Sequence, residues 1–347
     1  MRYFITLLSI FLCISCTLNT GSDFTSVRIQ RIFTDSLSIR AIAPLDANKV
    51  WFAANFGKVG LVENTIPKLA TINYEDSLLH FRSIAVTKDA VFVLSISNPG
   101  VLYKIMISGS EATNFEDVYV EKGDKVFYDS MAFFNDLEGI AMGDPTSSCM
   151  SIITTRDGGD HWEKLDCVNL PLVEKGEAAF AASNSNIAIF KDNVWIASGG
   201  KRARVFHSAD KGITWEVFDT PILQGQAMTG IYSVDFFDEQ TGIIIGGNWD
   251  EKEFNQGNKA ITKDGGKTWN LLSNGKGPGY RSSVKFVPGS HGQGIVAVGS
   301  PGISYSKDQG KHWIELSSEG FYTIEFVNDS IAFASGRNKI SKLIFKK

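Results

Sequence analysis

One eight-residue phrase recurs four times in this chain: TRDGGDHW at 155–162, SADKGITW at 208–215, TKDGGKTW at 262–269 and SKDQGKHW at 306–313. The shared skeleton is Ser/Thr-x-Asp-x-Gly-x-x-Trp, with Asp157/Trp162, Asp210/Trp215, Asp264/Trp269 and Asp308/Trp313 as its fixed points. An aspartate followed by glycine turns the chain, because the carboxylate can accept from the backbone just downstream and glycine tolerates positive φ. The hydroxyl residue closes one strand and the tryptophan opens the next as a large apolar plug. The phrase therefore predicts a fixed β-hairpin corner. A corner that returns about every 50 residues predicts stacked supersecondary units, as in propellers and solenoids.

The rest of the chain agrees with that period. Alternating apolar residues punctuated by Gly, Asn and Asp fill it, with almost no helical pattern. An apolar run ending in small residues appears seven times, at 50–57, 90–97, 138–145, 193–200, 241–248, 293–300 and 330–337. Each is preceded by another apolar strand, and the first two units lack the Asp-Gly corner. The small residues are expected where inner strands crowd toward an axis. After 330–337 the chain holds only KISKLIFKK, one strand too few, while a surplus strand lies at 27–33. The prediction is an all-β, seven-bladed propeller of four-stranded blades spanning 27–347, its last blade closed by the N-terminal strand, which removes an open sheet edge.

Residues 1–16 read as an export signal. Arg2 supplies the positive start and 3–14 an apolar core too short to span a bilayer. The signal ends in Cys13-Ile14-Ser15-Cys16, so that Cys16 is either a lipidated first residue or part of a plain cleaved signal. Polar residues 17–26 suit a tether. The expected location is the bacterial cell envelope, lipid-anchored in the periplasm or outer membrane. Of four cysteines, Cys149 and Cys167 remain after processing, and they flank the first corner as a cross-strand disulfide or as two buried thiols. A net charge of −4 argues against nucleic-acid binding. The five histidines are scattered, no spacing reads as a metal site, and no dinucleotide or phosphate-loop pattern is present, so neither metal nor cofactor is expected. The chain is expected to be a monomer.

Sorting residues by their place in a blade separates the two faces of such a ring. Arg40, Arg82 and Arg281 fall at the starts of inner strands, while Arg202, Arg204 and Arg337 fall in or beside loops joining second and third strands. All map to the face opposite the corners. A planar guanidinium fork suits carboxylate, phosphate or an acidic protein surface. Interleaved with these arginines are Asp129, Asp144, Glu177, Tyr232, Trp249, Tyr280 and Tyr322, and the loop 248–258 is the longest of its class. The alternative is a set of charges that pair among themselves around a wet channel.

The repeated corner resembles the Asp box of the bacterial neuraminidase repeat, and the resemblance covers nearly the whole mature chain. In that superfamily the box is a structural corner of a β-propeller, remote from any active site. A closer resemblance is to propellers similar to the photosystem II stability and assembly factor, which share the seven units, an inner-strand arginine before a small apolar run, and Asp-Gly-Gly-x-x-Trp boxes. That resemblance implies a non-catalytic docking platform for a protein or acidic ligand, with Arg40, Arg82 and Arg281 as docking residues. Neuraminidases imply the alternative, a sialidase-type glycoside hydrolase or a glycan-binding module, in which those three arginines imitate a carboxylate-binding triad. Against it, Arg40 is followed by Ala-Ile-Ala-Pro rather than Ile-Pro, and Tyr280 has no recognisable activating glutamate.

Overall fold

Strand-period alternation becomes strand almost throughout the computed structural model, which describes residues 23–347. The expected export signal, Cys16 and most of the expected tether lie outside the described residues. Antiparallel hydrogen bonding groups the described strands into six sheets of four or more strands and one two-stranded ribbon. The sheets stand around an axis as a propeller. Their innermost strands touch in a closed cycle: Ser26–Asp46, Phe81–Val86, Tyr128–Phe133, Ile187–Phe190, Thr229–Phe236, Ser283–Phe286, Thr323–Phe326 and back to the first.

Six hydrogen-bonded sheets stand where seven separate blades were expected. The reason is local. Ser26–Asp46 pairs through 26–34 with the C-terminal strand Ile331–Lys346 and through 39–46 with Lys49–Ala54, so one strand serves two places and joins two groups into a six-stranded sheet. Asn338, at φ +63°, reverses the chain within Ile331–Lys346, and the Phe345 N–H returns to the Ser330 carbonyl (2.8 Å). The predicted N-terminal closure is present: Val27 opposes Phe345 and Ile29 opposes Leu343. Phe24 stacks on Phe345 at 4.8 Å and is 2% exposed.

The four Asp boxes share one hydrogen-bond circuit. Thr155, Ser208, Thr262 and Ser306 each donate a hydroxyl to the box aspartate (2.7–2.9 Å) and accept the N–H of the glycine at the fifth box position (2.8–3.0 Å). The aspartate accepts the N–H just before the tryptophan. Trp215, Trp269 and Trp313 donate Nε1 to that glycine's carbonyl (2.9–3.0 Å). Trp162 Nε1 is buried without an acceptor, and nothing in the structure explains it. The box also locks neighbouring sheets. A Cβ on Gly159 would lie 2.3 Å from Phe92 of the preceding sheet, and Trp195 donates Nε1 to the Gly265 carbonyl of the following one (2.7 Å).

Small residues at the ends of the second strands answer to a different pressure from the one expected. A Cβ on Gly143 would meet the Phe127 carbonyl at 2.2 Å, and one on Gly246 the Gly230 carbonyl at 2.0 Å. The backbone of the adjacent inner strand, rather than the axis, occupies that space. Cys149 and Cys167 form a disulfide with Cα atoms 5.5 Å apart, which excludes two free thiols. The bridge fastens the stretch leading toward 177–182 to the third sheet.

The N-terminal strand completes a sheet whose core includes Phe24, Leu343 and Phe345, all at most 4% exposed. Deletion of 27–33 is therefore expected to lower the thermal midpoint by about 10 °C or more. An unchanged melt by circular dichroism would contradict the closure.

Candidate partner-binding site

The innermost strands do not run straight into the channel mouth. Register shifts fall between Ile39 and Ala41, Phe81 and Ser83, Tyr128 and Ser130, and Ile231 and Ser233. The extra residues at these bulges are Arg40, Arg82, Asp129 and Tyr232. Tyr322 shares the arrangement, since its N–H reaches the Ser335 carbonyl (2.7 Å) of a residue already paired with Thr323. Ser282 does likewise, reaching the Val298 carbonyl (2.9 Å) while Ser283 pairs with Val298. A bulge leaves one residue unpaired and re-aims its side chain. Here it brings Arg40, Arg82 and Tyr232 to the mouth, and the glycines at 143 and 246 give the bulged backbone room.

Arg40 and Arg82 meet at a cavity of about 360 Å³, together with Tyr232, Trp249, Tyr280 and Phe180. Arg40 donates Nη1 to the Ala182 carbonyl (3.0 Å) and lies over the Tyr322 ring, Cζ to centroid 4.1 Å. Its Nε is buried without an acceptor. Arg82 donates Nη1 to the Ala181 carbonyl (3.2 Å) and Nε to His80 Nε2 (3.3 Å). Neither guanidinium forms an ion pair among the described residues. Burial lowers both pKa values, Arg82 to about 10 with the charge of Arg40 adding to the effect, so both stay cationic at neutral pH. Burial, then the charges of Arg82 and Arg40, hold His80 near 4 and keep it a neutral acceptor.

The acids beneath compensate only in part. Asp129 is fully buried, and burial followed by repulsion from Asp144 pushes its pKa well up against the pull of Arg82 and of the Ala181 backbone N–H. Asp144 accepts the Ala179 N–H at 2.7 Å. The aromatic wall is tightly built: Phe180 stacks on Tyr232 (3.9 Å, 3°), and Tyr280 meets Tyr232 and Trp249 edge-on (4.8 and 5.3 Å). Burial raises the Tyr232 and Tyr280 hydroxyl pKa values, so neither is an ionised nucleophile at neutral pH. Lys252 Nζ lies 4.1 Å over the Trp249 ring.

Of the arginines selected from the sequence, only two converge. Arg281 leaves the mouth: just before Ser283–Phe286, Tyr280 lines the mouth while the next residue, Arg281, lines a separate cavity with Ser304 and Trp313. The three arginines therefore do not form a triad. Arg202 pairs with Asp219 (2.6 Å), and Arg337 is exposed beside the ladder partner Ser38. Arg204 and Glu177 form a buried ion pair (2.6 Å) that braces the fold. Sequence reasoning missed Phe180, Met228, His80 and the carbonyls of Ala181 and Ala182. The alanine-rich stretch AAFAAS at 178–183 reads from the sequence as the strand that precedes 193–200, but that strand is Ile187–Phe190, and 179–182 instead lines the mouth as irregular chain, a tertiary result.

Asp144 gives this site a stability signature. Burial raises its carboxyl to about 6, with the Ala179 N–H opposing. A carboxyl whose folded pKa exceeds its unfolded value binds more protons in the native state, so its ionisation weakens the fold as pH rises from about 4 to 6. Asp144→Asn keeps the acceptor for Ala179. It is expected to raise the urea-unfolding free energy over wild type by on the order of 1–3 kcal/mol at pH 8 and to equal wild type at pH 4. Parallel curves with no pH-dependent gap would contradict the assignment.

The chain matches no protein-family model and no curated protein. Among solved structures it is similar to "YCF48 bound to D1 peptide", with a TM-score of 0.66 at 12% identity over 94% of this chain and 99% of that one. It is similar to YCF48 from Cyanidioschyzon merolae, with a TM-score of 0.63 at 14% identity over 91% and 98%. It is also similar to the GH74 xyloglucanase from Xanthomonas campestris, with a TM-score of 0.62 at 12% identity over 91% of this chain and 53% of that one. In fold, the chain is a β-propeller of the kind seen in Ycf48 and in the GH74 xyloglucanase.

Proposed function

We propose that this chain is an exported, lipid-anchored, non-catalytic propeller that docks a protein partner through the mouth bearing Arg40 and Arg82. The observation that carries the reading is the pair of largely buried guanidiniums that meet neutral carbonyls, a neutral imidazole and an aromatic ring but no carboxylate. Desolvated cations of this kind favour an acidic group brought by a ligand. The peptide bound to YCF48 supports protein recognition by a ring of this shape. In our reading the six-stranded sheet comprises two blades, 323–346 with 26–34 and 39–71, which makes the ring seven-bladed. Seven inner strands in a closed cycle support that count.

The docking residues are now Arg40 and Arg82 with Tyr232, Trp249, Tyr280 and Tyr322 around them and Asp129 below, while Arg202 and Arg337 stand outside. Pull-down from envelope extract with wild type and an Arg40→Gln/Arg82→Gln variant tests this. The variant is expected to lose the specific partner by about tenfold or more, consistent with removing charge-assisted hydrogen bonds. Equal recovery from both proteins would remove this mouth from consideration.

The anchor reading rests on Ser15-Cys16 after an apolar core and on the polar tether that follows. Cys16→Ser is expected to move the protein from the membrane pellet to the soluble fraction. Retention of Cys16→Ser in the pellet would argue for another mode of attachment.

A further inference from the structure

A second cavity, of about 370 Å³, lies on the other side of the strand approach that carries Tyr280 and Arg281. Its floor is Arg281, its wall Trp313, and its rim Glu253 and Glu315, the former from the long loop 248–258. We propose that it binds a small amino-carboxylate of the free amino acid class, carboxylate on Arg281 and ammonium toward the rim. The site is independent of the channel mouth, because Tyr280 and Arg281, consecutive residues just before Ser283–Phe286, face different cavities.

The floor is an uncompensated cation. Arg281 is 4% exposed and donates Nη1 to the Tyr280 carbonyl (2.9 Å) and Nη2 to Ser304 Oγ (2.9 Å), while Nε has no acceptor. Just behind it Lys259 is fully buried, its Nζ held by Asn258 Oδ1 (2.7 Å) and by the carbonyl of Pro278 (3.1 Å), which itself lines the cavity. Burial, then the charge of Arg281, lowers the Lys259 pKa to about 8. Neither side chain forms an ion pair among the described residues. Two neighbouring desolvated cations meeting only neutral acceptors are costly, and an oxyanion that fits the guanidinium fork offsets that cost.

The rim narrows the ligand class. Glu253 and Glu315 are exposed, yet their charges reach Arg281 and oppose the lowering of its pKa by burial. A dianion such as phosphate would suit the floor but meet two carboxylates at the rim. A simple amine would suit the rim and be repelled by the floor. A molecule carrying both groups satisfies both ends. Trp313 is fixed as a wall by its Nε1 bond to Gly310 and by contact with Gly277, where a Cβ would fall 3.0 Å from the indole. The volume suits a small molecule rather than a folded partner.

The test follows the Trp313 indole N–H by nitrogen-15 correlation NMR, assigned with Trp313→Phe, during titration with glycine, L-serine, L-leucine, acetate and phosphate. At least one amino acid is expected to shift the signal saturably, with acetate and phosphate about tenfold weaker or more. Arg281→Gln is expected to abolish the shift, and Arg40→Gln/Arg82→Gln to leave it intact. Should Arg281→Gln fail to fold, Glu315→Gln at the exposed rim is expected to weaken amino-acid binding and strengthen phosphate. The proposal is overturned if no amino acid moves the signal, if phosphate binds as well as any of them, or if the response survives Arg281→Gln or ignores Glu315→Gln.

Discussion

Sheets that stand on edge around an axis bury both faces, so each must fit its neighbour as closely as its own strands fit one another. The Asp box makes that fit. Its hydroxyl, carboxylate and two N–H groups consume the polar groups of a tight corner, which frees the glycine side of the turn to press against the preceding sheet. The contact of Gly159 with Phe92 and the bond from Trp195 to Gly265 show the same lock at two joints. Buried turns are tolerated only when every backbone group is paired. The box supplies that pairing from three side chains in eight residues: the hydroxyl residue, the aspartate and the tryptophan.

At the inner rim the constraint is different. An undistorted strand alternates its side chains between two flanking sheets and sends none along the axis. The bulges at Arg40, Arg82, Asp129 and Tyr232 break that alternation once per strand and turn a side chain toward the mouth. The bulged backbone then presses on the second strand, and glycine at 143 and 246 accommodates it. A scaffold feature and a recognition feature are thus the same residue insertion. Arg281 lies one position from the bulge site of its strand, and that single step sends it to another cavity.

The two cavities place cations in unlike company. At the mouth, Arg40 and Arg82 face aromatic rings and carbonyls, with Asp129 and Asp144 held toward their neutral forms by burial. In the lateral cavity, Arg281 faces exposed carboxylates at the rim, with the buried Lys259 behind it. The first is an open, partly apolar mouth suited to a chain end or side chain of a larger partner. The second is a small polar niche.

The repeat, the all-β propeller class and the closing strand were legible in the sequence, because each depends on local spacing: a corner every fifty or so residues, apolar runs of fixed length, and one strand missing at one end and spare at the other. Arg40 and Arg82 were legible too, as arginines placed before small apolar runs. What the sequence alone could not decide was direction. Whether Arg281 or Ser282 looks inward depends on a one-residue register choice, and whether 179–182 crosses the mouth depends on where the Cys149–Cys167 bridge and the Glu177–Arg204 pair hold it. Those outcomes are set by contacts between segments distant in the chain, so only the assembled ring contains them.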